Sequence, residues 1–78
     1  MANGPLEDAE EDMPLDDFKQ EMASLGFHWV KEIGHVHYHI FEHARTHRVM
    51  PIPVERGIVL ARYVANARKI AEEENRRR

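Results

Sequence analysis

Gly34-His35-Val36-His37-Tyr38-His39-Ile40-Phe41 decides how the chain is read. Histidine recurs at every second position. Successive side chains of an extended strand point to opposite faces, so this spacing puts His35, His37 and His39 on one face. Val36, Tyr38 and Ile40 then share the other. The alternation predicts a half-buried strand over about residues 35–41, with the apolar row inward and the histidines in water. Imidazole titrates near neutral pH, so an exposed row of it suits proton transfer, metal ligation or anion contact.

The neighbouring stretches fit a sheet around that strand. Residues 27–33, Phe-His-Trp-Val-Lys-Glu-Ile, are rich in aromatic and β-branched residues and read as a strand. Gly34 allows a tight turn or bulge between the two. Residues 42–46 are polar and short enough for a hairpin loop. Residues 47–53 read as a third strand, and Pro51 and Pro53, which cannot donate to a ladder, place it at an edge. A competing reading is local: His39, His43 and His47 stand at i, i+4 and i+8, the spacing of one helical face.

Helical periods flank the sheet. Leu15, Phe18, Met22 and Leu25 fall at i, i+3, i+7 and i+10, with Asp16 and Asp17 in the first turn and Gly26 as the stop. They predict a helix over about 14–25. Leu60, Tyr63, Val64, Ala67, Ile70 and Ala71 predict a second over about 55–74. Helix, three strands, helix is an α+β order, α-β-β-β-α. The fold expected is a two-layer sandwich with a three-stranded antiparallel sheet and two helices on one face. Phe27, Trp29, Phe41 and Tyr63 are assigned to its core, because a chain this small needs its large apolar groups inside.

Composition bounds the rest. The chain has 78 residues and no cysteine, which excludes disulfides and thiolate metal sites. No apolar run reaches the length of about 20 residues that a membrane span needs. No basic region followed by an apolar stretch opens the chain, so neither a signal peptide nor membrane association is expected, and the composition fits the cytoplasm. The net charge of -3 is unevenly spread. Residues 1–17 hold seven acids and no Lys or Arg. The rest carry seven acids against eleven bases, a formal charge of +4. Residues 1–13 read as a disordered acidic arm, 14–75 as one domain and 76–78 as a basic end.

The order of elements, the Leu25-Gly26-Phe27 junction, Gly34 ahead of a histidine-rich strand, the strand Arg48-Val49-Met50-Pro51-Ile52-Pro53 and the long final helix together resemble the HicA toxins. These are small mRNA interferases with a fold like the double-stranded RNA-binding domain. The resemblance runs from about Asp16 to Ala71. It implies RNA as a partner, a neutralising antitoxin protein and endoribonuclease activity without a cofactor. The family's first hairpin usually reads Gly-Ser-His, with that histidine catalytic. Here Val36 falls at its place, His35 one residue early and His37 one residue late.

Cleavage of RNA without a metal needs a base near the 2′-hydroxyl and a proton for the leaving oxygen, and histidine suits both tasks. His37 is the first candidate and His35 the second. The cations Lys31, Arg45, Arg48, Arg56, Arg62, Arg68 and Lys69, with Arg76 to Arg78, are candidates for phosphate contact. Against these stand plainer readings: exposed strand histidines and a solvated helix face. A His-x-His pair can chelate a metal with His39, Glu42 or His47 as third ligand, but nothing else in the sequence supports one and no metal is assigned. A third class is a non-catalytic module that binds nucleic acid or protein, or that forms a homo-oligomer through an exposed sheet edge.

Overall fold

The computed structural model describes residues 11–77. Within them the chain is α+β, with the expected order of helix, three strands and helix. Helix α1 spans Leu15–Ser24 and buries Phe18 and Met22. Its backbone then reverses at Gly26, whose φ of 92° lies in the region glycine adopts freely. Strands β2 (Phe27–Ile33), β3 (Tyr38–His43) and β4 (Val49–Pro53) form an antiparallel sheet in the order β2-β3-β4. The competing helix over His39, His43 and His47 is not formed.

Three features depart from the expectation. The second helix, α2 (Ala61–Arg76), begins six residues late. Arg56 and Gly57 both have positive φ, at 53° and 77°, and make a two-residue hairpin closed by mutual backbone bonds between Glu55 and Ile58. The returning strand β5 (Ile58–Val59) pairs with β1 (Met13–Pro14) in a second small sheet. Asp12 follows suit: its Oδ1 accepts the N–H of Ala61 at 2.9 Å and satisfies one of the free donors that open α2. Asp12 and Met13, assigned to the arm, are therefore integrated into the domain. Residues 1–10 and Arg78, the rest of the expected arm and the last of the basic end, lie outside the described residues.

The third departure is the orientation of the histidine strand. Gly34 to His37 form a turn, so β3 starts only at Tyr38. Its inward face is His39, Phe41 and His43, all buried; Tyr38 and Val36 are exposed and Ile40 half-buried. The expected inside and outside are reversed. Phe41 explains it: fully buried, it meets the Phe18 ring edge-on at 5.3 Å and joins Phe27, Met50 and Ile52 under Val64, Ala67 and Ala71 of α2. Both helices thus cover one face of the sheet. Phe27 and Phe41 lie in the core as expected and Tyr63 packs at its margin, whereas Trp29 remains 39% exposed. Among the described residues no helix is long and apolar enough to cross a membrane.

Candidate nucleic-acid site

The inward histidines are tied to neighbouring residues by hydrogen bonds. His43 Nδ1 accepts the backbone N–H groups of Arg45 and Thr46, each at 3.2 Å. Its proton therefore sits on Nε2 and donates to Asn75 Oδ1 at 2.8 Å. Asn75 Nδ2 in turn donates to the Leu25 carbonyl at 2.7 Å. His39 Nδ1 accepts the indole N–H of Trp29 at 2.9 Å, and its Nε2 faces Glu32 at 3.8 Å. Buried polar groups are tolerated when paired in this way. These rings organise the fold; they do not present chemistry to solvent.

The candidate His37 is placed differently. It ends the Gly34–His37 turn with φ at 56°, a conformation that costs a non-glycine residue roughly 1–2 kcal/mol. Its carbonyl accepts the N–H of Val54 at 3.0 Å. It lines a hollow of about 620 Å³ together with Asp12, Glu55 and Arg56, over a floor that includes Val54 and Leu60. Among the described residues three non-glycine residues have positive φ: His37, His47 and Arg56. Two of the three meet in this hollow. Strained backbone of that kind collects at working sites, where the surroundings hold it in place. His35, the second candidate, is exposed in the same turn and does not line the hollow.

The seven basic candidates divide into two groups. Arg45 donates to the Glu74 carbonyl and Arg48 to the Glu74 carboxylate, both at 3.3 Å. Arg68 makes a forked pair with Glu21 that ties α2 to α1. The hydrogen bond from Arg68 holds the Glu21 carboxyl below its usual pKa and raises that of Arg68 itself. Glu74, buried at the end of α2, is likewise pulled down, first by its hydrogen bond with the Thr46 hydroxyl and then by Arg48 and Arg77; desolvation opposes this. These three arginines hold elements together. Arg56 is the only one of the seven that lines the His37 hollow. Lys31 and Lys69 are exposed on β2 and α2, and the Arg62 guanidinium lies 5.2 Å from the Tyr63 ring centre. No local pattern marks Asp12 and Glu55 as site residues, because both depend on the β1-β5 pairing.

The histidines do not share one strand face as expected, since His35 and His37 are in a turn and His39 points inward. Among the described residues no three His, Asp or Glu side chains converge as metal ligands. What the hollow offers is an imidazole, a guanidinium and two carboxylates in an open, water-accessible recess. Comparison with family models, curated proteins and solved structures finds no significant match for this chain.

Proposed function

We propose that the chain is a HicA-like RNA-binding protein and that the His37 hollow acts on RNA as a metal-independent endoribonuclease. The observation that carries this is the meeting of His37 and Arg56, both non-glycine residues with positive φ, in one recess. Arg56 is suited to hold a phosphodiester by its oxygens, as a planar guanidinium does. His37 is suited to take the proton of the adjacent 2′-hydroxyl. The 2′ oxygen then attacks phosphorus and the bond to the 5′ oxygen breaks. That oxygen takes a proton from solvent, leaving a cyclic phosphate and a 5′-hydroxyl.

A second reading keeps the RNA and drops the cleavage. Val36 stands where the resembled family carries its catalytic histidine, and it is 46% exposed in the turn with no polar function. A relative that has lost this position would bind nucleic acid, or a protein such as an antitoxin, without cutting. One experiment separates the two: incubation of a long single-stranded RNA with the full chain in EDTA, beside His37→Ala, His35→Ala and Arg56→Ala. The enzyme reading expects cyclic-phosphate ends, lost with His37→Ala and reduced with Arg56→Ala. Salt-sensitive binding without cut ends would establish the binding module, and neither binding nor cutting would refute both.

A further inference from the structure

The outer edge of β4 carries an unusual chemistry. Val54 N–H donates to the His37 carbonyl at 3.0 Å, and His43 N–H to the Arg48 carbonyl at 2.9 Å. These two bonds bracket the β3-β4 ladder, and the register between them is unbroken. Alternation then turns the even-numbered backbone groups of β4 toward β3 and those of Val49, Pro51 and Pro53 outward. Proline has no N–H. The free edge therefore presents three carbonyl oxygens and one donor, that of Val49. A partner strand needs donors and acceptors in alternation, so this edge is a poor template for sheet extension.

The same edge borders a groove of about 360 Å³, lined from the sheet by Tyr38, Pro51 and Pro53 and from α2 by Tyr63 and Asn66. Tyr38 is 38% exposed. Arg48 also lines the groove, and Arg62 lies against the Tyr63 ring. The groove and the His37 hollow are lined by residues that are chain neighbours at two points: Tyr38 follows His37, and Pro53 precedes Val54.

We infer that this groove takes an unpaired base of single-stranded RNA, beside the nucleotide whose phosphate enters the His37 hollow. The inference rests on the RNA reading above and names the form of RNA. Tyrosine rings stack on a base whatever its identity. The outward carbonyls match the exocyclic amino groups that three of the four bases carry. A base inside a duplex presents no open face to such a groove, and the carbonyls of a peptide strand would meet only the one donor of Val49 along this edge.

The test is binding by the full chain, followed by fluorescence polarisation, of three labelled probes with equal phosphate counts. They are a 2′-fluoro single strand, which resists cleavage, a duplex of half its length, and a strand whose central nucleotides are abasic. The inference expects the intact single strand to bind about tenfold more tightly than the other two, the effect of about one stacked base. Tyr38→Ala, at an exposed position, should erase that margin, Tyr38→Phe should keep it, and Arg56→Ala should weaken all three probes alike. Equal, salt-sensitive binding of all three probes would overturn the base groove and leave the RNA reading standing. An unchanged margin in Tyr38→Ala would also overturn it. Binding of none of the probes would remove both.

Discussion

Two turns that carry histidine flank β3, and they have opposite fates. The turn after β3, from Ala44 to Arg48, is bolted to the C-terminal end of α2. His43 reaches Asn75, Arg45 the Glu74 carbonyl, and Arg48 the Glu74 carboxylate. Among the described residues the turn before β3, from Gly34 to His37, makes backbone hydrogen bonds only within its own hairpin and to Val54, and leaves its side chains exposed. Histidine content is thus no guide to role. A histidine whose two nitrogens are both engaged is part of the scaffold. One held in a strained conformation over an open hollow is placed for a ligand.

Breaking the bolted side should have the largest effect. His43→Ala removes the acceptor of two backbone N–H groups and the partner of Asn75 Oδ1. We expect a loss of about 2–4 kcal/mol, read from urea denaturation, with the Gly34–His37 turn undisturbed. Gly26→Ala attacks the same knot from the other side. A Cβ there would stand 2.8 Å from His43 Nε2, on a backbone with φ at 92°. A loss of roughly 2–3 kcal/mol is expected, and a neutral result would show that His43 does not sit where described.

Acid should release the same region. The carboxyls of Glu74 and Glu21 are depressed in the folded state below the ordinary 4.5. Their contribution is complete above the unfolded value and is lost as pH falls through the lower folded values. Thermal midpoints should therefore fall steeply below about pH 4.5, and less steeply in Glu74→Gln. The free side predicts the smallest change in stability. His37→Gly and Arg56→Gly relieve a left-handed residue while loosening the unfolded chain, so each should be within about 1 kcal/mol of the parent, on the stable side. RNA binding should nevertheless fall in both.

Much of the architecture was legible because it rests on repeated signals. The stripe Phe18-Met22 in α1, the aromatic and β-branched run of β2 and the Val64-Ala67-Ala71 face of α2 each repeat at a period only one structure satisfies. The histidine strand carried two competing phases. Val36, Tyr38 and Ile40 argued for one face and Phe41 alone for the other, and Phe41 prevailed because its ring meets Phe18 while His39 and His43 find partners distant in sequence. Those partners, Trp29 and Asn75, have no local signature. The late start of α2 was readable in principle from Gly57, which a helix interior tolerates poorly. Glu74 and Arg68 looked like solvated helix residues, and their pairing with Thr46, Arg48 and Glu21 is purely tertiary.

The most direct test of the division between the two turns is a titration of the ¹⁵N-labelled chain with a 2′-fluoro single-stranded RNA, followed by amide NMR shifts. The account predicts that the largest shifts fall on His37, Tyr38, Arg56 and Gly57, and that Ala44 to Arg48 and Asn75 stay in place. Shifts concentrated on Ala44 to Arg48 and the end of α2, with His37 and Arg56 unmoved, would contradict it.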